Sequence, residues 1–142
     1  MKYSLANRSI SRSAGFSLLE MLAVIVLIGI VAGIVVNQVG KNVDKGKWNA
    51  GKGQIQKVAM AVESYALDNG SPPAKLEDLV TKPSGATNWK PGYAKESDLK
   101  DPFGHPFFYK VPGEHGDFDI VFYGKDGKSG GEDYNADYGN WQ

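Results

Sequence analysis

Phe16-Ser-Leu-Leu-Glu-Met-Leu-Ala-Val-Ile-Val-Leu-Ile-Gly-Ile-Val-Ala-Gly-Ile-Val-Val36 runs 21 residues with one charged side chain, Glu20. A helix of that length rises about 32 Å, against a bilayer hydrocarbon core of roughly 30 Å. Residues 16–36 are therefore read as a membrane-spanning helix. The stretch before it carries Lys2, Arg8 and Arg12 and no acid. A basic flank stays on the cytoplasmic side and sends the downstream chain across. An ordinary secretory signal places its small-residue cut site after a shorter apolar run. Here the small pair Ala14-Gly15 comes before the run, so a cut between Gly15 and Phe16 would remove the leader, residues 1–15, and keep the helix.

Glu20 needs an explanation, because a carboxylate near the centre of a membrane helix costs about 2.5–3.5 kcal/mol, and somewhat less near an end. Two readings stand. After cleavage the new α-amine of Phe16 lies one helical turn from Glu20, in reach within one subunit or between two. Alternatively the carboxylate sits in the headgroup zone. Gly29-Ile-Val-Ala-Gly33 is a Gly-x-x-x-Gly pattern that allows close approach of another helix in lipid.

Beyond the apolar run the helical pattern continues over 37–70. Ile55, Val58, Val62 and Tyr65 recur at helical spacing. Asn69-Gly70 followed by Pro72-Pro73 predicts the stop. Unbroken from Phe16, such a helix is about 80 Å long. Gly40, Gly46, Gly51 and Gly53 weaken its middle and predict a kink or flexible segment over 40–53. Residues 71–142 read as the globular part. Lys75–Val80 predicts a short helix, and Trp89 a packing residue. Pro106–Val111 and Asp117–Tyr123 predict two strands joined by Pro112–Gly116. The class is α+β: one long N-terminal helix packed by a small antiparallel hairpin or sheet.

The chain has 16 basic and 16 acidic residues, three of the basic ones in the leader, so 13 face 16 acids from Phe16 onward. No basic patch with interleaved aromatics suggests nucleic acid. With no cysteine, disulfides and thiol catalysis are excluded. The two histidines, His105 and His115, lie in Pro- and Gly-flanked turns, outside any nucleophile or zinc motif, and read as exposed. Glu114, Asp117 and Asp119 read as solvent-facing strand residues. The inventory is not that of an enzyme. A soluble core drawn from about a hundred residues, without disulfides, looks for another staple.

The loop after the second strand offers one. Asp126, Glu132, Asp133, Asn135 and Asp137 crowd a glycine-rich turn. Hard oxygen donors on a flexible backbone suit Ca²⁺. The same residues also make ordinary turns, and the spacing is not that of an EF-hand, because Lys128 and Gly130 fall where oxygen ligands are needed.

Gly15-Phe16-Ser-Leu-Leu-Glu20 resembles the type III signal of the type IV pilin superfamily. The resemblance implies that a prepilin peptidase cuts after Gly15 and methylates the Phe16 amine. It implies too that Glu20 guides subunit docking. Tyr65-Ala-Leu-Asp-Asn-Gly70, Leu79-Val-Thr-Lys-Pro83, Asp101-Pro-Phe-Gly-His-Pro106, Pro112-Gly-Glu-His-Gly-Asp-Phe-Asp-Ile120 and Gly124-Lys-Asp-Gly127 resemble, in order, the major pseudopilins of type II secretion. Two departures stand out: Asn37 occupies a position where that family usually has proline, and the stretch around Ser71–Ala74 is compressed.

This second resemblance implies a calcium ion held by Asp126 and Asp133, with carbonyls from Tyr123 and, more remotely, Gly131 and Tyr134. It also implies a helical homopolymer that meets minor pseudopilins, the prepilin peptidase and an inner-membrane assembly platform. The expected location is single-pass in the bacterial inner membrane, N-terminus cytoplasmic and C-terminal part periplasmic. The rival within the superfamily is a major type IV pilin for adhesion, motility or DNA uptake. Many of those close their C-terminal region with a disulfide, which this chain cannot form.

Overall fold

The computed structural model describes residues 15–142. Leader residues Lys2, Arg8, Arg12 and Ala14 lie outside them. Helix α1, Leu18–Asn69, contains 52 residues and ends where Gly70 N donates to Ala66 O at 2.7 Å. The chain divides into two compact units between Val39 and Gly40.

In the first unit the described residues bury nothing. Leu18, Ile25, Ile34 and Val36 are each about two-thirds exposed or more in the isolated chain, the least of them 66%. The apolar run is long enough to cross a membrane. Apolar surface on this scale is normally covered, by lipid or by other helices.

The second unit has a closed core. Ile55, Val58, Val62 and Tyr65, the helical stripe expected from the sequence, are all buried, together with Leu76, Leu79, Phe107, Ile120 and Phe122. The expected helix over Lys75–Val80 is a 3₁₀ turn, Leu76–Leu79. The expected strands are real but shorter: β1 is Phe108–Lys110 and β2 is Asp119–Phe122. They pair antiparallel, Phe108 opposite Val121 and Lys110 opposite Asp119. A third strand, β3, Tyr138–Gly139, completes the sheet on the other side of β2. Two residues are too few to show alternation, which is why the sequence did not reveal it.

The expected kink or flexible segment over 40–53 does not interrupt the helix. Helix α1 runs through all four glycines, and through Asn37 as well. At Gly51 the reason is visible: a Cβ there would meet the Phe122 ring at 2.5 Å. Gly51 is the space into which the largest fully buried side chain fits, so it serves tertiary packing at the expense of helix propensity.

Candidate functional site

The N-terminal site is built by the first turn of α1. Ser17 and Glu20 cap it reciprocally: Glu20 N donates to Ser17 Oγ at 3.1 Å, and Ser17 N donates to Glu20 Oε2 at 3.3 Å. Each side chain satisfies a backbone donor that the helix start would otherwise leave without a partner. The Ser-x-x-Glu spacing that signals this box is present in the sequence, so the cap is a role of Glu20 beyond the two readings of its charge. A carboxylate at the positive end of a helix is also favoured by the helix dipole. Phe16 and Glu20 are both exposed, so the pair is accessible to another chain. Gly29 and Gly33 meet no atom within 4 Å of an added Cβ, which leaves their helix face open.

The C-terminal loop is closed by Lys125 N donating to Tyr134 O at 2.7 Å. Gly124 permits this closure. It sits at φ 69°, and a Cβ there would lie 2.6 Å from Tyr134 O. Asp126 Oδ1 accepts from Lys128 N at 3.2 Å in a local turn. Asp133 opens the 3₁₀ turn Asp133–Asn135 with φ 54°. Asp137 ties the loop across: its Oδ2 accepts from Gly130 N at 2.8 Å. Its Oδ1 is buried and has no partner.

All five expected metal residues, Tyr123, Asp126, Gly131, Asp133 and Tyr134, thus lie in one loop. Among the described residues no three acidic, imidazole or thiol side chains converge to hold an ion. Main-chain carbonyls would have to complete any shell. The donor chemistry fits a hard divalent cation, and the unsatisfied buried Asp137 oxygen is an anionic group in the same loop that lacks a donor. When bound, such an ion would supply cross-linking of the loop. Asp126 and Asp133 would contribute charge, and Tyr123, Gly131 and Tyr134 carbonyl oxygens.

Several contacts already moor this loop within the second unit. Lys125 Nζ pairs with Asp44 at 2.7 Å, and Trp48 Nε1 donates to Ala136 O at 3.3 Å. Trp48 meets Tyr138 edge to face, and Lys52 lies 4.3 Å over the Trp48 ring. Ile120 N donates to Asn140 Oδ1 at 2.8 Å.

Each histidine lies beside a buried carboxylate, His105 beside Asp101 and His115 beside Asp119. The carboxylate reading needs a correction: Asp119 is not solvent-facing but buried. Its oxygens accept from Glu114 N at 2.8 Å and His115 N at 3.2 Å, and His115 Nδ1 lies 3.0 Å away. The His115 ring stacks on Trp141 with centroids 3.8 Å apart. Burial pushes the Asp119 pKa up, but the hydrogen bonds from Glu114 and His115 outweigh it and hold the carboxyl below its usual range. His105 is likewise only partly exposed, with Nδ1 buried and 3.6 Å from Asp101. Asp101 accepts from Phe103 N and His105 N and so shapes its own turn.

Residues 38–141 match the family model for type II secretion system (T2SS), protein G, and residues 10–36 match the prokaryotic N-terminal methylation motif. The type II secretion system core protein G of Xanthomonas campestris pv. campestris is 47% identical over 137 residues, which cover 92% of this chain and 96% of that protein. The protein of the same description from Pseudomonas aeruginosa is 44% identical with the same coverage. The crystal structure of the major pseudopilin from the type 2 secretion system of enterohaemorrhagic Escherichia coli superposes with a TM-score of 0.58 at 30% identity, over 71% of this chain and 91% of that one.

Proposed function

The chain belongs to the type II secretion system protein G family, the major pseudopilins, and from that premise we propose how its two ends serve a filament. As a structural, membrane-anchored component it assembles into a pseudopilus with other parts of the secretion system. Its precursor is cut between Gly15 and Phe16 by a prepilin peptidase, and the Phe16 amine is methylated. The N-terminus faces the cytoplasm and the C-terminal part the periplasm, in keeping with the basic leader.

Assembly turns on Glu20. In the single chain its carboxylate is held by the neutral backbone amide of Ser17, at 3.3 Å. A charged α-amine on another subunit is a stronger donor. Exchanging one for the other lets a subunit dock without leaving a charge unpaired in lipid. The exposed apolar face of residues 16–36 then passes from lipid to neighbouring helices. The product is a helical homopolymer, tipped by minor pseudopilins and driven by an inner-membrane assembly platform.

The observation that carries this reading is the pairing of an exposed apolar helix start with one capped, accessible carboxylate. At the other end, calcium held by Asp126 and Asp133 staples the C-terminal loop.

The test is complementation of a bacterium lacking its own major pseudopilin. Wild-type chain restores secretion of the exported protein. Glu20→Ala is inserted and processed yet restores neither filament nor secretion. Full secretion by Glu20→Ala would remove the docking role.

A further inference from the structure

Asp78 is 5% exposed. Its backbone is committed, the N–H to Lys75 O and the carbonyl to Trp89 Nε1 at 2.7 Å. Its carboxylate accepts no hydrogen bond from any described residue, in contrast to the buried carboxylates of Asp101 and Asp119. Nor are its oxygens among the polar atoms sealed from solvent. Asp78 lines, together with Tyr65, a cavity of about 380 Å³.

The lining includes one carboxylate and no basic side chain; Asn69, Ser84, Thr87 and Asn88 add neutral oxygens. The nearby cation Lys90 is engaged elsewhere, at 2.6 Å from Asp68. The charge of Asp78 is felt by its surroundings. The phenols of Tyr65 and Tyr109 titrate above their usual range, Tyr109 at about 12, through burial first and the Asp78 charge second.

A nearly buried carboxylate without a donor is costly unless a cation meets it. The cavity's chemistry selects among cations. A single formal charge with neutral oxygens around it suits a monovalent ion, whereas divalent sites gather several carboxylates. A primary ammonium presents three donors and no acceptor, which matches a pocket rich in acceptors. We propose that the Asp78 cavity is a binding site for a primary ammonium group, supplied by a free amine or by a lysine of a second copy.

The site is tested on the full chain in detergent micelles, with n-butylammonium as probe and tetramethylammonium at equal ionic strength as control. Amide chemical shifts of Asn69, Asp78 and Thr87–Trp89 should move saturably with n-butylammonium. Tetramethylammonium, which has no N–H donor, should bind at least about tenfold more weakly. Asp78→Asn should fold with an equal or higher melting temperature, because it removes a buried unpaired charge. It should lose the n-butylammonium response.

Equal responses to the two cations, an undiminished response in Asp78→Asn, or no saturable response in wild type overturns the proposal. Once binding is seen, filament yield in cells assigns the source. A loss of filament in Asp78→Asn points to a lysine of a second copy, and an unchanged yield to a free amine; both outcomes require the ammonium site.

Discussion

The two halves of α1 share one unbroken helix and show opposite packing. From Gly15 to Val39 no side chain is buried, whereas between Gly51 and Tyr65 a complete stripe is shut into a core. Among the described residues the first half has no packing partner, and its stability has to come from lipid or from other helices. The second takes it from the sheet and turns C-terminal to it. A change in the first half should therefore be read out in assembly, and one in the second half in unfolding.

The largest effect expected is from Glu20→Ala. Filament formation should be lost, as in the complementation test. The melting of the second unit, followed by tryptophan fluorescence of the full chain in detergent, should stay unchanged. A shift in that melting would mean the two halves are not energetically separate.

Phe122→Ala probes the opposite side of the comparison. Phe122 is fully buried against Gly51 and stacks on Phe103 with centroids 6.2 Å apart. Truncation should cost about 3–5 kcal/mol in denaturant unfolding, while insertion into the membrane continues.

Much of this contrast was legible in the sequence, because periodicity and hydropathy report one-dimensional facts. The apolar run, the stripe Ile55, Val58, Val62 and Tyr65, and the stop at Asn69-Gly70 each follow from local pattern alone. What escaped was tertiary. Gly51 reads as a helix weakener until the Phe122 ring is seen in its place. Asp119 reads as exposed until the hairpin turn folds back on it. Strand β3 exists only because β2 offers it an edge. At the candidate sites the residue types were legible but not their commitments: Ser17 to Glu20, Asp137 to Gly130, and the unpartnered carboxylate of Asp78.

Calcium sharpens the comparison at the C-terminal end. If the loop is its site, an ion at a hundredfold excess over its dissociation constant stabilises the folded chain by about 2.7 kcal/mol. Calorimetry should show the gain in wild type and its loss in Asp126→Ala and Asp133→Ala, with no effect on the first unit. No shift at saturating calcium would leave the loop held by its own hydrogen bonds and by Lys125, Trp48 and Asn140.

Gly51→Ala sets local propensity against packing. In an exposed helix the change would stabilise by up to about 1 kcal/mol. Here the added methyl meets a buried ring, so urea unfolding should show a net loss of about 1–2 kcal/mol. Gly46→Ala, where an added Cβ meets nothing, should show the ordinary gain.

The smallest effect is a pH dependence. The folded-state pKa of Asp119 is depressed, so its contribution is complete above the unfolded value of about 3.9 and is lost as pH falls through the lower folded value. Thermal melts of wild type should therefore weaken more steeply below about pH 4 than those of Asp119→Asn, which lacks the titrating group.

The central claim is that the apolar half is cut and methylated at its start so that it can pass from lipid into a filament. Intact-mass analysis of the protein recovered from assembled filaments tests it most directly. The account predicts a chain running from Phe16 to Gln142 with one added methyl group; filaments built from chains that retain Gly15 would contradict it.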